Sequence, residues 1–534
     1  MSGVPGVLIQ FYHRVLIAYY RLTERVADFF NLPRRLGLTM LAVALAGGWL
    51  LTVSVINEAW ILTGLLVVSL VLLPFFAVSP EWTIISVTFA VASLISTVFW
   101  DALALGEQGI TLPNILVMYG LLIVILRACA GVNVNGALWF TPSSIAVALF
   151  LLISIAVTFL YHVFVTGLSY RQELSVIQHN IMWLLYFVFL GVATSERKLR
   201  TLQIGILAVV FIGAIPTILQ AIVGEQALFF LKLTQKDIRL EQTEGLLRVL
   251  PPGENLILVG LLIAVQMSAA SSGGKRFGWL VLAFVYAMAI LMTLTRHSWF
   301  SALFALAIFW WFSDTRTKVN TLIGSVLVVV FVLITAAIVS PLQMYQSDSF
   351  FAKIERRFLS TFHEDPMQFS HAGVSSVGQR TYEMMYILRR LPESPWFGFG
   401  WSANLPVRLD TSPYMGMIFS KTTYIHNSFW WIVAKGGIVG AIGLLILWLT
   451  GIGRGYYLFK RAPDAQARAW LLALWVGFMA LIISAQFEPV FWIRNRIIAP
   501  AMVLALMETV YYFSARSAQE QQAKAGVQAQ EATL

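Results

Sequence analysis

Long apolar runs are the feature that most constrains how this chain can fold. Runs of about 17 to 22 residues recur along it, and each is long enough to cross the hydrocarbon core of a bilayer as a helix. We place about fourteen such runs, of which two pairs could instead be re-entrant. They start near residues 37, 60, 82, 112, 144, 176, 202, 254, 277, 298, 319, 427, 468 and 490.

Composition supports a membrane-embedded chain. Of the 534 residues, 59% are hydrophobic and 12% are charged, whereas about 25% are charged in a typical soluble domain. The net charge of +10 is spread over short loops, which suits membrane orientation better than nucleic-acid binding. A single cysteine, Cys129, excludes an internal disulfide and a cysteine-rich metal site. The expected fold is therefore all-α, a polytopic transmembrane bundle of about 12–14 spans.

Basic loops predict how the bundle is oriented. The loops SERKLR, GGKRFG and SDTRTK alternate with loops that carry almost no lysine or arginine. By the positive-inside rule, both termini are expected in the cytoplasm. The predicted parts are a cytoplasmic amphipathic segment 1–36, an N-terminal bundle 37–253, a second bundle 254–512 that includes a long, partly helical outer loop 341–425 before the third-last span, and a disordered cytoplasmic tail 513–534.

Three arginines are predicted at the outer membrane face. Residues 379–402, QRTYEMMYILRRLPESPWFGFGWS, predict an amphipathic helix that ends at its prolines and is followed by a tight glycine turn. Arg380 begins this helix, Arg296 opens another span, and Arg248 precedes a Pro-Pro-Gly sequence. The planar guanidinium of arginine matches the oxygens of a phosphate. Interfacial anchoring for Arg296 and surface solvation for the other two are the plainer alternatives.

The stretch YIHNSFWWIVAKGGIVG, residues 424–440, places a histidine at the start of an apolar helix. Asn427 is expected to cap the first turn. Gly437 and Gly440 share a helical face with His426 and predict close packing of a neighbouring helix. A histidine titrates near neutrality and can act as a general base, while a capped interfacial histidine is the plainer interpretation.

One outer carboxylate stands in the loop between the last two spans. Glu488 could position an acceptor molecule. A structural ion pair with Arg494 or Arg496 is the plainer prediction, because all three residues lie within one short connection.

Three stretches in order resemble the O-antigen ligase and polymerase superfamily of bacterial membrane glycosyltransferases, over roughly residues 255–510. They are LMTLTRHSWFSALFALAIF, the arginine helix with its glycine-aromatic-glycine turn, and the histidine-asparagine stretch with glycines ten and thirteen residues after the asparagine. The first departs from the pattern of the family, since Thr295 and His297 stand where serine and glycine are usual.

The resemblance implies roles for particular residues. Arg296 and Arg380 would hold the diphosphate of a polyprenyl-linked glycan, and His426 would activate or orient the acceptor hydroxyl. No cofactor is implied, and arginines can stabilise a departing diphosphate without a metal. The candidate catalytic residues are His426, Arg296 and Arg380, and the candidate substrate-binding residues are Arg248, Asn427 and Trp401.

Three functions are compatible with these features. The first is a ligase that moves a glycan from a polyprenyl-diphosphate donor to a lipid, glycan or protein acceptor at the outer face of a bacterial inner membrane. The second is a polymerase that joins two lipid-linked glycans for O-antigen, capsule or exopolysaccharide. The third is a flippase or other transporter, which typically shows internal repeats and interrupted helices at mid-membrane depth. The histidine motif favours the ligase, and the acceptor stays open.

Overall fold

The computed structural model describes most of the chain from residue 75 onwards. The described residues are 75–91, 111–132, 136–223, 239–243, 246–251, 253–313, 315–339, 369–370, 373–374, 376–412, 416–422 and 424–531. The predicted segment 1–36, the predicted spans near residues 37 and 60, and residues 340–368 of the outer loop lie outside the described residues.

Helices dominate the part of the chain that the structure describes. They are α1 Glu81–Phe89, α2 Leu112–Cys129, α3 Pro142–Phe164, α4 Tyr170–Val192, α5 Glu196–Val223, α6 Glu254–Ala270, α7 Gly273–Met292, α8 Arg296–Phe312, α9 Thr315–Val339, α10 Ser376–Arg390, α11 Ser428–Lys460, α12 Ala465–Ser484 and α13 Arg494–Glu531. Eight of these described helices (α2–α5, α7 and α11–α13) are long and apolar enough to cross a membrane. The predicted all-α polytopic bundle is confirmed.

Short antiparallel hairpins accompany the helices at the loops. In the described ranges, β1 Arg239–Thr243 pairs with β2 Leu246–Leu250, β3 Phe369–Ser370 with β4 Gly373–Val374, and β5 Leu405–Ser412 with β6 Gly416–Thr422. The last hairpin links the turn after α10 to the start of α11. The outer loop is therefore partly helical, as predicted, and also contains strands.

Helix α6 forms the centre of the bundle. All its residues from Glu254 to Ala269 are buried, because α5, α7, α8, α9, α12 and α13 surround it. A helix that is apolar on every face is stable only when neighbours cover all of it. Its first residue is Glu254, which is thereby held inside the protein beside the start of α8.

Helix α11 is broken at Gly437, and a turn from the outer segment fills the break. Gly437 has φ 64° and ψ −158°, a conformation that only glycine adopts readily. Four backbone hydrogen bonds join the turn 395–400 to the break: Phe399 N–H to Ala434 O at 2.8 Å, Gly400 N–H to Lys435 O at 3.2 Å, Ile438 N–H to Pro395 O at 2.9 Å and Val439 N–H to Trp396 O at 3.0 Å. The backbone groups that the kink releases are satisfied by the turn.

This break corrects the prediction that a neighbouring helix packs closely at Gly437. A side chain at Gly437 would meet the inserted turn, and one at Gly440 would meet Ile432 of the same helix. Close approach of neighbouring helices occurs at Gly440, whose carbonyl accepts a hydrogen bond from Ser154 Oγ of α3 at 2.8 Å, and further along α11. Gly443 faces Ser154 of α3, while Gly451 and Gly455 face aromatic side chains of α12.

Buried charges hold the inserted turn in place. Glu173, fully buried in α4, accepts hydrogen bonds from Trp401 N at 2.8 Å and from Ser402 Oγ at 2.6 Å. The ammonium of Lys435, also fully buried, donates to the carbonyl of Ala403. Both side chains thus bind polar atoms of residues 401–403, directly after the inserted turn, which ties this part of the chain to the bundle.

The C-terminal tail corrects another prediction. Helix α13 continues through Glu531, so residues 513–531 are helical rather than disordered. The tail is polar but rich in alanine, glutamine and glutamate, which are strong helix formers. Arg516 Nε also donates to Glu520 Oε1 at 2.9 Å, an i,i+4 pair that supports the helix. Low hydrophobicity was therefore a poor guide to order here.

Candidate functional site

A buried carboxylate of α10 holds His426 just before the start of α11. The ring Nδ1 of His426 lies 2.7 Å from Glu383 Oε1, and the backbone N–H of His426 donates to Glu383 Oε2 at 2.9 Å. The side chain of Glu383 is 3% exposed, whereas that of His426 is 33% exposed. One carboxylate therefore fixes both the backbone and the ring of His426 while leaving the imidazole partly accessible.

The contact with Glu383 decides which ring nitrogen of His426 can act as a base. An ionised carboxylate only accepts hydrogen bonds, so Nδ1 of the neutral imidazole carries the proton and Nε2 carries the lone pair. The ring of Tyr424 packs edge-on against the imidazole, with centroids 5.0 Å apart and planes at 88°. A histidine whose tautomer and ring plane are both set in this way is suited to general base catalysis.

Glu383 was not among the predicted site residues. It is anchored in turn by Gln379, whose Nε2 donates to Glu383 Oε1 at 2.9 Å and to Val407 O at 2.6 Å. The neighbouring Tyr382 is partly buried, which raises its pKa, and its phenol donates to Pro406 O at 3.4 Å. The sequence offered one sign that Glu383 faces the protein interior. It stands four residues after Gln379 and four before Ile387, so the three residues share one face of the helix.

Asn427 has the capping role predicted for it. Its Oδ1 accepts hydrogen bonds from the backbone N–H groups of Phe429 at 2.8 Å and Trp430 at 3.0 Å. Its Nδ2 donates to Gln486 O at 3.0 Å. The amide therefore fixes the start of α11 next to His426, and the predicted contact of Asn427 with substrate stays a prediction.

Arg380 lies on α10 three residues before Glu383. Its Nε donates to the carbonyl of Phe487 at 3.3 Å, and its guanidinium carbon is 5.8 Å from the centroid of the Phe487 ring. The cation therefore packs against an aromatic face. Residues three apart on a helix share a side, so α10 presents Arg380 close to the carboxylate that holds His426.

Arg296 is the first residue of α8, and the two residues after it are anchored by carboxylates. His297 Nε2 lies 3.4 Å from Glu488 Oε2, and the histidine is 6% exposed. Ser298 Oγ donates to Glu254 Oε1 at 2.5 Å. The first turn of α8 is therefore attached to α6 on one side and to the connection between α12 and α13 on the other.

Residues 485–488, here called the linking segment, contact the three elements α8, α10 and α11. Phe487 accepts the hydrogen bond from Arg380, Gln486 accepts the one from Asn427, and Glu488 approaches His297. The elements that carry the predicted residues Arg296, Arg380 and His426 are thus brought to one short stretch of chain.

The other two predicted site residues differ in outcome. Trp401 is fully buried, donates from Nε1 to Thr158 Oγ1 at 3.0 Å and lies 5.1 Å from the ring of Trp431. An indole with no exposed surface cannot stack on a sugar, so the structure argues against substrate binding by Trp401. Arg248 lies in strand β2, whose side chains are outside the described part of the structure, and its role stays a prediction.

Among the described residues, one group of side chains could hold a metal ion by its geometry. It consists of Glu254, His297 and Glu488, whose ligand atoms lie within 4.8 Å of one another. Arg496 forms an ion pair with Glu488, which confirms one of the pairings predicted for that carboxylate. A guanidinium bound to one of the ligands opposes a divalent cation at the same place. The donor set is therefore a poor fit for a metal, and metal independence stays a prediction.

Comparison with known proteins adds to this geometry. Residues 280–445 match the family model described as O-antigen ligase. The chain carries an O-antigen ligase domain. No curated protein matches the chain. The O-antigen ligase domain includes Arg296, Arg380, Glu383 and His426, whereas Arg248 precedes it.

The predicted membership of the O-antigen ligase and polymerase superfamily is thereby confirmed. The protein is an integral membrane protein with a domain of the ligase or polymerase type of membrane glycosyltransferase. A family of this type acts on lipid-linked glycans and acceptors.

Proposed function

We propose that the protein transfers a glycan from a polyprenyl-diphosphate donor to an acceptor hydroxyl, as an O-antigen ligase. The observation that carries the proposal is the pair formed by His426 and the buried Glu383, next to Arg380 within the O-antigen ligase domain. This arrangement supplies a base with a defined tautomer beside a cation that suits a phosphate.

The chemistry follows from these groups. Nε2 of His426 takes the proton of the acceptor hydroxyl while that oxygen attacks the anomeric carbon of the donor sugar. The bond from the anomeric carbon to the diphosphate breaks, and its electron pair leaves with the diphosphate. Arg296 and Arg380 stabilise the negative charge that develops on the departing oxygens. Direct displacement of this kind inverts the configuration at the anomeric carbon.

Orientation in a bacterial inner membrane belongs to the same proposal. Thr111 of the α2 start accepts a hydrogen bond from Arg494 of the α13 start at 2.6 Å, at the end of the bundle near the linking segment. Ser517 donates to Glu196 at 2.5 Å at the opposite end, beside the basic loop 195–200. The site is then at the outer face, and both termini are in the cytoplasm.

The experiment is a transfer assay in membranes with a polyprenyl-diphosphate glycan. Arg296→Ala and Arg380→Ala are each expected to lower kcat/KM about 10²-fold or more, because each loses charge stabilisation of the leaving diphosphate. Arg389→Ala is the matched control, since Arg389 is an exposed arginine of α10 and is expected to retain normal transfer. Transfer is expected to persist in EDTA.

The outcomes of this assay separate the candidate functions. Product on a lipid or protein acceptor supports the ligase, and longer lipid-linked glycans would instead indicate a polymerase. Full activity in both arginine variants would refute the proposed site. Movement of the lipid-linked glycan across the membrane without transfer would identify a transporter.

Glu383→Gln tests the orientation of the base. The glutamine keeps the size of the side chain but loses the charge that favours a proton on Nδ1, so kcat is expected to fall roughly 10²-fold with little change in either KM. Steady-state kinetics on purified protein measure this. Glu393→Gln is the control, because Glu393 is an exposed carboxylate after the same helix, paired with Arg390. An unchanged kcat in Glu383→Gln would contradict the assigned role.

A further inference from the structure

We propose that Phe487 and Glu488 of the linking segment are positioning residues that set the spacing between Arg296 and Arg380 for a diphosphate group. The inference rests on the proposed function, because it takes the two arginines as the groups that bind the donor. It adds to that function two residues that fix the distance between Arg296 on α8 and Arg380 on α10.

The linking segment is itself rigidly held. Ser428 N donates to Ala485 O at 2.8 Å, and Ser428 Oγ donates to Glu488 O at 3.0 Å. Val490 and Phe491, two and three residues after the segment, are fully buried in the core. The segment is therefore attached at both ends to the start of α11, and so to the position of His426.

Phe487 lies between the two arginine-bearing elements. Its ring lies 5.8 Å from the guanidinium carbon of Arg380 and its carbonyl accepts from Nε of that residue. The same ring stacks on the imidazole of His297, with centroids 6.3 Å apart and planes at 14°. Since Arg296 directly precedes His297, Phe487 couples the first turn of α8 to the side chain of Arg380.

Glu488 and Glu254 clamp the first turn of α8 from two directions. Glu488 approaches His297, and Glu254 accepts the hydrogen bond from Ser298. Carboxylates near the N-terminus of a helix also interact favourably with its positive end. The first turn of α8, which begins with Arg296, is therefore contacted from two sides.

The charges of the cluster formed by Glu254, His297, Glu488 and Arg496 fit a positioning role. Arg496 forms an ion pair with Glu488, so this carboxylate has a guanidinium partner from α13. Glu254 reaches Ser298 of α8, and Glu488 lies between His297 of α8 and Arg496 of α13, so these contacts join α6, α8 and α13. Removal of the charge of Glu488 is expected to loosen the position of Arg296 without removing a group that touches the substrate.

The test compares Phe487→Leu and Glu488→Gln with wild type and with Glu393→Gln as the control. Purified protein is assayed for donor KM, acceptor KM and kcat, for inhibition by inorganic pyrophosphate, and for thermal stabilisation by pyrophosphate. We expect donor KM and the pyrophosphate inhibition constant to rise about tenfold in both variants. Acceptor KM and kcat are expected to stay within about threefold of wild type, and the control is expected to match wild type.

Other results would overturn the inference. Unchanged donor KM and unchanged pyrophosphate inhibition in both variants would remove Phe487 and Glu488 from donor binding while the proposed function stands. A loss of kcat and of folded protein with donor KM unchanged would assign the segment a structural role only. Wild-type activity that EDTA abolishes and Mg²⁺ or Mn²⁺ restores would make the cluster a metal site instead. If the wild-type protein shows no transfer and is not stabilised by pyrophosphate, the proposed function is refuted, and the inference with it.

Discussion

Replacement of His426 by alanine is expected to lower the rate of glycan transfer by about 10²- to 10⁴-fold, the usual contribution of a positioned general base. The loss is expected in kcat, because the donor is held by arginines that the substitution leaves in place. The measurement is single-turnover transfer with donor and acceptor saturating. Imidazole added to the buffer is expected to restore part of the rate, since the cavity left by the side chain lies where the imidazole ring is partly exposed.

The partnership with Glu383 provides a control for this prediction. If Glu383 acts through His426, the double variant His426→Ala with Glu383→Gln is expected to be no slower than His426→Ala alone. Additive losses would show that Glu383 acts by another route. Full transfer by His426→Ala would reduce this histidine to a capped interfacial residue and move the base elsewhere.

Gly437→Ala is expected to prevent accumulation of folded protein. The φ of 64° costs a side-chain-bearing residue about 1–3 kcal/mol. An added Cβ would also lie 2.4 Å from the backbone C and O of Trp396 and 2.5 Å from Phe397 N. Backbone atoms inside a bundle cannot move aside as the end of a flexible side chain can, so the turn 395–400 would be displaced from the break in α11.

Gly453→Ala is the matched control for this effect. Gly453 is in the same helix, its added Cβ meets nothing within 4 Å, and alanine stabilises an ordinary helical position by about 1 kcal/mol relative to glycine. Thermal unfolding in detergent, followed by the loss of monodisperse protein, measures both variants. A melting temperature of Gly437→Ala equal to that of Gly453→Ala would show that the break tolerates a side chain.

Hydropathy was enough to locate most of the bundle. The run expected near residue 254 is α6, and the runs expected near 427 and 468 are α11 and α12. The break in α11 was not predictable in this way, because the stretch AKGGIVG continues the apolar run on either side of Gly437. Hydropathy measures transfer into lipid, whereas the break depends on a backbone dihedral and on a turn that is distant in sequence.

The candidate site was predictable where residue type alone carries the chemistry. Arg380 and His426 are distinctive because charged and titratable groups are costly at a membrane boundary. Glu383 resembled an ordinary carboxylate on the polar side of an amphipathic helix, and only the hairpin of β5 and β6 returns the chain so that His426 meets it. Trp401 was a candidate for substrate binding because an indole can stack on a sugar, whereas the turn before it enters the bundle and leaves Trp401 fully buried.

The interrupted span links membrane insertion to assembly of the catalytic groups. Residues 395–400 precede α11 in the chain, so they are synthesised before the two halves of α11 are in place. A bare α11 would expose unsatisfied backbone groups to hydrocarbon at its kink, which is costly in lipid. The span reaches its stable form only when the earlier segment docks back into it, and this docking carries Arg380 and Glu383 towards His426. Completion of the α11 span and assembly of the candidate site are therefore coupled, because both depend on the same docked turn.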